Sequence, residues 1–299
     1  MRVFVTGGEG LLAAAIVREF GSRPAALGEI IRADEGSHHV VAPRRAALDI
    51  TNAEAVHRSV AEMRPDVVIN CAAYNDVDAA EDAAQTALRI NAFAVRALAS
   101  AARTAGALFV HFGTDFVFDG QASRPYREED PPNPRGVYAT SKLLGDWFAL
   151  EHPEAYVLRV ESLFGEPGPG TKRRGSLATL VQRMRNGEAA PVFTDRTVSP
   201  SYTADVARAT RMLLERRAAP GLYHCVNTGA TTWAAIAAEA ARLLDLPLSV
   251  TPITLDTVAL KARRPLYSAL SNAKLAEAGI AMPKWEEALA VHLKGIAAS

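Results

Sequence analysis

Tyr138 and Lys142 stand four residues apart in Gly136-Val-Tyr-Ala-Thr-Ser-Lys142, a spacing that puts both on one face of a helix, one turn apart. An ammonium beside a phenol favours the phenolate, so the pair predicts a tyrosine whose pKa falls below the usual value of about 10. Such a phenol trades a proton with a carbonyl or alcohol oxygen near neutral pH. Thr114 follows the apolar run Leu108-Phe-Val-His-Phe112, which reads as a strand. Its hydroxyl would lie beyond that strand's carboxyl end, where parallel sheets collect ligands, and would donate to a substrate carbonyl beside Tyr138. A lone Thr there is usually a turn residue, and a Tyr/Lys spacing alone is a weak signal. Thr114, Tyr138 and Lys142 in this order, downstream of a nucleotide signature, make the catalytic assignment.

That signature is Val3-Phe-Val-Thr-Gly-Gly-Glu-Gly-Leu-Leu-Ala13, a strand, a tight turn and the start of a helix. Gly7-x-x-Gly10-x-x-Ala13 and Gly8-x-Gly10-x-x-Ala13 overlap in it, the second being a dinucleotide fingerprint with Ala in the last place. Residues without a Cβ let the N–H groups of a helix start approach a pyrophosphate, so Gly7, Gly10, Leu11 and Leu12 are cofactor-binding candidates. After the second strand an NAD site usually offers Asp or Glu to the ribose, whereas this chain offers Ala42-Pro-Arg44-Arg45. Arg44 and Arg45 suit the 2′-phosphate of NADP, the plainer reading being a solvated basic loop. NADP(H) is expected over NAD(H), with NAD(H) left open. Asp34 precedes the strand and is not counted.

The elements that must position these groups alternate between strand and helix, as in a parallel sheet covered on both faces. Strands are expected at 2–6, 39–42, 66–70, 108–112 and 156–160, and helices at 10–20, 53–63, 83–105 and 136–151, with a long polar connection over 21–37. After 160 the alternation loosens into a breaker-rich loop at 165–175, where Lys172-Arg-Arg174 reads as solvated. Helices follow at about 176–186, from Thr203, over 231–244 and at 285–297. Trp147, Trp233 and Trp285 on these helical stretches read as core or lobe packing.

With 299 residues, 49% apolar and 22% charged, the chain suffices for one large α/β domain or a main domain with a lobe. Its 33 basic and 33 acidic residues cancel, which points away from nucleic acid and anionic membranes as partners. No apolar run reaches the roughly 18 residues of a membrane span, and the N-terminus enters a strand without a signal peptide's apolar region. A cytoplasmic location is expected. Cys71 and Cys225 read as buried free thiols and His111 as a core histidine; no histidine spacing suits zinc, and no metal site is expected.

These residues together resemble the dTDP-4-dehydrorhamnose reductase family of the extended short-chain dehydrogenase/reductase superfamily. The resemblance runs through Val5-Thr-Gly-Gly-Glu-Gly-Leu-Leu12, Leu48-Asp-Ile-Thr51, Pro65–Tyr74 with Val77-Asp78 and Ala80-Glu81, Thr114-Asp-Phe-Val-Phe-Asp-Gly120 and Pro125-Tyr-Arg-Glu128. It continues through the Tyr138/Lys142 helix, Leu158-Arg159, Pro200–Ala207, Gly221–His224 and Arg264-Pro265. It implies a Rossmann-like doubly wound parallel sheet over residues 1–160, to which about 200–225 return. A smaller substrate lobe would comprise 161–199 and 226–299. It further implies reduction of a 4-keto sugar carried on a nucleoside diphosphate, in a monomer or homodimer, with Tyr138 protonating the alkoxide, Thr114 orienting the ketone and Lys142 holding the cofactor ribose. On the same footing Asp49 and Ile50 lie beside adenine, and Cys71, Ala72, Ala73 and Tyr74 along the middle of the cofactor. Asp115, Phe118 and Arg264 would meet the substrate.

The departures gather on the substrate side. Gly113 stands for the usual Ser, Val160-Glu161-Ser162 for Thr-Ser-Trp, Asn75 for Thr and Tyr267 for Asn. Related 4,6-dehydratases follow the catalytic Thr with Asp-Glu, but here Phe116 occupies the second place and cannot move a proton. Epimerase-reductases add a Cys/His pair in the substrate pocket, which Cys71 does not supply. Two alternatives stay open: another sugar-nucleotide reductase or epimerase of the same superfamily, and a non-catalytic nucleotide-binding subunit such as the regulatory β subunit of methionine adenosyltransferase in this same branch.

Overall fold

The computed structural model describes residues 1–21, 38–168 and 175–297; nearly all of the expected 21–37 connection, with Asp34, and the Lys172–Arg174 run lie outside them. In chain order the first half comprises β1 (Arg2–Thr6), α1 (Leu11–Phe20), β2 (His39–Val41), α2 (Ala53–Met63), β3 (Val67–Asn70), α3 (Ala79–Asp82) and α4 (Ala84–Leu88). A π-helical turn (Arg89–Phe93) leads into α5 (Ala94–Ala105), β4 (Leu108–Thr114), α6 (Val137–Leu150) and β5 (Ala155–Val160). Then come β6 (Leu163–Phe164), α7 (Ser176–Arg185), β7 (Ala190–Phe193), β8 (Thr197–Val198), β9 (Ser201–Tyr202), α8 (Thr203–Glu215) and β10 (Gly221–His224). The chain closes with β11 (Thr231–Thr232), α9 (Trp233–Leu244), β12 (Val250–Ile253), α10 (Ala273–Glu277) and α11 (Trp285–Ala297).

Six parallel strands form the central sheet in the order β10-β5-β4-β3-β1-β2. Buried on both faces, they read as continuous apolar runs rather than as alternation; Val3, Val5, Val67, Ile69 and Val110 are fully buried. One face packs on α1 and α8 through Ile16, Phe20, Val206 and Leu213, the other on α2 and α5 through Val56, Val60, Leu98 and Ala102. Leu98, with Val95 and Ala102 at helical spacing, is fully removed from water, worth about 1.5–3 kcal/mol. A separate core joins α7, α9 and α11 through Leu180, Met184, Ile236, Ala240 and Leu289. Leu275, Ile280 and Met282 pack with the main sheet rather than with that lobe. Trp285 joins the lobe core, but Trp147 is 55% exposed, so its packing expectation fails: it lies on the outer side of α6.

Chain connection reverses direction between β1 and β3, which opens a crevice beyond their carboxyl ends. The long helix expected over 83–105 is interrupted by the π turn, a kind of interruption that recurs at functional sites. Its residue Asn91 turns its side chain away to the backbone of Tyr74, accepting from the N–H at 2.8 Å and donating to the carbonyl at 3.1 Å. The Asn91 carbonyl meanwhile presses against Gly145 of α6, where a Cβ would stand 2.1 Å from it. No side chain fits there. Gly145→Ala is therefore expected to cost roughly 1–3 kcal/mol of stability by forcing the two helices apart, read as a lower urea midpoint; an unchanged midpoint would show the contact to be soft.

Candidate active site

Beyond β1 and β3 lies a crevice of about 230 Å³ whose wall includes Gly7, Gly10, Arg45, Asp49, Ile50, Cys71, Ala72 and Ala73. Gly7 adopts φ 70°, and a Cβ on it would sit 2.7 Å from the Ala72 backbone nitrogen, so only glycine lets the turn lie this close to β3's end. Gly10 starts α1 without a capping side chain, which leaves first-turn N–H groups for an anion. Leu12 buries its side chain in the core, so what it and Leu11 offer a ligand is backbone. Asp49 accepts both the N–H and the hydroxyl of Thr51 at 2.9 Å, and these bonds hold its carboxyl below the usual range.

Four expected residues are not on the crevice wall: Leu11 and Leu12, and also Arg44 and Tyr74. Arg44 opens a turn whose carbonyl accepts from Ala47 and Leu48, and its side chain stays exposed outside the wall; of the arginine pair only Arg45 reaches it. Tyr74 packs beside Tyr138 rather than on the crevice. The wall also contains Thr6, Glu9, Pro43, Leu48, Thr51, Asn75 and Ile90, which sequence reasoning missed; most are chain neighbours of the motif residues, the one signal that pointed to them.

α6 starts at Gly136 with no cap of its own, and Glu81 from α3 accepts the Val137 N–H at 2.8 Å. On its buried face Tyr138, Lys142 and Asp146 follow one another turn by turn. Lys142 donates to the Phe112 carbonyl of β4 at 2.5 Å, and burial lowers its ammonium to about 8 against the opposing pull of Asp146 and Cys71. The Tyr138 phenol moves the other way from expectation. Burial raises it far above its ordinary value; the Thr114 hydrogen bond opposes this, while the Asp115 and Asp146 charges add to it. The expected lowering by Lys142 is absent because desolvation dominates and a lysine lowered to about 8 has lost its charge before the raised phenol titrates.

Asp146 accepts from Arg159 Nε at 3.0 Å and stands 3.7 Å from His111 Nε2, so His111 is a core histidine as expected, bonded at 3.0 Å to Asn70. The Gly113 departure follows from the same contact: a Cβ there would meet Asp146 Oδ1 at 2.7 Å and Arg159 Cγ at 2.8 Å. Cys71 is half-buried and Cys225 buried, both free, and desolvation raises both thiols, Cys225 to about 12. Among the described residues no three His, Cys, Asp or Glu side chains gather as a metal would need.

Tyr138 also lines a second cavity, of about 330 Å³, together with Phe116, Phe118, Arg135, Arg263 and Arg264. Phe116 meets the Tyr138 ring edge-on at 5.6 Å, and Phe118 stacks on Tyr126 at 4.1 Å. Arg264 is locked in a two-pronged pair with Asp78, at 3.0 and 2.6 Å, and Asp78 also accepts the Ala262 N–H at 3.0 Å. Asp115 does not reach this wall. It is 3% exposed and accepts from the Thr114 hydroxyl at 3.0 Å, because the chain turns inward after β4 into a polar cluster with Glu161, Arg196 and Ser268. Burial pushes its carboxyl up to about 6, against the pull of Arg196. Asp78, Glu81, Asn91, Glu161 and Arg196 had no role in the sequence reading; the resemblance touched Asp78 and Glu81 as matches and Glu161 as a departure.

Across residues 1–297 the chain matches the model of the RmlD substrate binding domain. It is 37% identical to a dTDP-4-dehydrorhamnose reductase of Streptomyces griseus over 96% of this chain and 91% of that one. It is 35% identical to a probable dTDP-4,6-dihydroxy-2-methyloxan-3-one 4-ketoreductase of Streptomyces antibioticus, covering 97% and 93%. A solved dTDP-4-dehydrorhamnose reductase of Bacillus anthracis in complex with NADP superposes with a TM-score of 0.88 at 30% identity, covering 98% and 99%.

A lysine lowered on folding binds fewer protons folded than unfolded, so its contribution to stability rises between about 8 and the 10.5 of a free lysine. The stability of the native protein minus that of Lys142→Met should therefore climb by on the order of 3 kcal/mol across that window in urea titrations. A pH-independent difference would mean that Asp146 holds the ammonium at ordinary basicity.

Proposed function

The chain belongs to the RmlD substrate binding domain family, and from that premise we propose that it is an NADPH-dependent reductase of dTDP-4-dehydrorhamnose. The observation that carries the reading is the position of Tyr138 and Lys142. The phenol lines the arginine-rich cavity, and one turn on the ammonium lies within electrostatic reach of Cys71 in the crevice wall. A phenol on the cavity wall, with its lysine on the crevice side, supports Tyr138 as the proton donor.

The crevice fits a dinucleotide: a Cβ would fill the cradle at Gly7, the start of α1 is open to a pyrophosphate, and Arg45 is free to pair with a 2′-phosphate. Bound there, NADPH supplies the hydride for C4. Thr114 orients the ketone oxygen, and Tyr138 gives its proton to the forming alkoxide. A phenol raised by burial stays protonated through neutral pH, which suits a donor better than the phenolate first expected. Lys142 holds the ribose edge of the cofactor. Arg264, set by Asp78, joins Arg135 and Arg263 to meet a diphosphate, and Phe118 walls the sugar. In this reading the cofactor lies on residues within 1–160, while the sugar nucleotide is met by residues of 1–160 such as Phe118 and Arg135 together with residues 262–265.

Tyr138→Phe is expected to lower kcat for dTDP-4-dehydrorhamnose by about 10²–10⁴-fold while NADPH binding persists. The check is NADPH absorbance with a panel of 4-keto sugar nucleotides. Turnover of another member only would move the substrate and keep the chemistry; no turnover of any, with NADPH bound, would favour the non-catalytic subunit. Arg45→Ala should raise KM for NADPH about tenfold and leave that for NADH nearly unchanged. Equal effects on both would remove the 2′-phosphate role.

A further inference from the structure

The cavity wall between Phe118 and Ala122 has no helix or strand of its own, and one buried phenol holds its shape. Tyr126 Oη accepts from the N–H groups of Gly120, Gln121 and Ala122, each at 3.1 Å. The same hydroxyl donates to Asp119 Oδ1 at 3.0 Å, and that oxygen also accepts the Gln121 N–H at 3.1 Å. Three successive amides converging on one point make a nest of the kind that elsewhere receives an anion. Here a side chain from the end of the same loop fills it. Removing that one oxygen would leave three partly buried amides and a carboxylate to find new partners, which ties the path of 119–122 to it.

The phenol can serve as a post because its backbone and its ring are both held. Its N–H donates to the Ala269 carbonyl and its carbonyl accepts from the Ser271 N–H, both at 2.8 Å. Its ring stacks on Phe118 at 4.1 Å, 9° from parallel, and only 7% of the residue is exposed. Tyr126 is off the cavity wall, whereas Phe118, Asp119 and Gln121 are on it. Asp119 carries the influence further: its Oδ2 accepts from Asn133 at 3.0 Å and faces Arg135 at 3.8 Å. On the other flank Gly120, at φ 80°, lies against the loop that bears Arg263 and Arg264; a Cβ there would stand 2.7 Å from Pro265 Cα. The Gly120 carbonyl also accepts the Tyr267 N–H at 3.3 Å. We propose that Tyr126 is a positioning residue of the sugar-nucleotide pocket. Its hydroxyl sets where Phe118, Gln121 and Arg135 stand, and so sets affinity for the sugar nucleotide without touching it. The inference rests on the reductase reading above. None of these contacts involves the cofactor crevice, whose wall is drawn from residues at or before Ile90.

Tyr126→Phe tests this, because it keeps the ring stack on Phe118 and deletes only the oxygen. KM for dTDP-4-dehydrorhamnose should rise about tenfold, with kcat within about threefold of native and KM for NADPH unchanged. A merely structural tyrosine would lower the melting temperature and move both KM values together or neither. Either of those results would overturn the proposal. A second measurement needs no substrate: amide hydrogen exchange at Gly120, Gln121 and Ala122 should quicken roughly tenfold or more in the variant, while amides of the crevice keep their native rates. Native rates at all three would also overturn it. If Tyr126→Phe does not fold, Gly120→Ala deforms the same loop from its other flank and should raise the same KM alone. Failure of the native protein to reduce any 4-keto sugar nucleotide would instead sink the reductase reading, and the exchange rates would still decide whether the hydroxyl holds the wall.

Discussion

The contact between Gly145 and the Asn91 carbonyl sets the geometry on which the site depends. α6 carries a phenol, an ammonium and a carboxylate on successive turns, and its distance from β4 and α5 decides where all three stand. The π turn brings a backbone carbonyl against α6 at the level of Asp146, and the Asn91 side chain donates to Ser141 one turn earlier at 2.9 Å. Ser141 in turn donates to the Tyr138 carbonyl at 2.7 Å, and Glu81 caps the helix start. Pinned at start, middle and end, the helix can hold a buried lysine in place at little reorganisation cost when a ligand arrives.

Charge balance beneath the helix explains two of the local departures. Arg159 and Asp146 pair in the floor, and their bulk takes the room that a side chain at position 113 would need. On the other side of Thr114, Glu161 introduces a carboxylate where the family commonly has Ser, and Arg196 and Ser268 are gathered around it. Desolvation dominates both groups. It pulls the ammonium down and pushes the phenol and carboxyls up, so the protonation states owe more to exclusion of water than to the partner four residues away.

Much of the architecture was legible in the chain. The fingerprint around Gly7 and Gly10 is local: a turn without Cβ atoms between an apolar strand and a helix has few other uses, and the crevice lies where it pointed. The strands and helices that apolar runs and periodicity gave lie within a residue or two of those found, whereas β10 at the edge of the central sheet, the short strands after residue 160, α3 and α10 had no expectation. What failed depended on contacts across the fold. The π turn has no local signal, since residues 83–105 keep a helical period throughout while its cause lies in Tyr74 and Gly145. Asp115 was expected at the substrate only through the family resemblance; the polar cluster with Ser268, 153 positions later in the chain, shows it turned inward. Spacing placed Lys142 one turn from Tyr138 but could not show that the Phe112 carbonyl would claim the ammonium.

The Asp78–Arg264 clamp spans 186 positions of sequence. Every residue of the cofactor crevice lies at or before Ile90, whereas the arginine-rich cavity is walled only once residues 262–265 have returned to α3. During synthesis the two halves of the site therefore come into being at different times. A nascent chain holds every side chain of the crevice wall long before the arginine-rich cavity has its far wall, which an ion pair holds in place. The order in which the ribosome delivers the chain thus completes the crevice before the cavity.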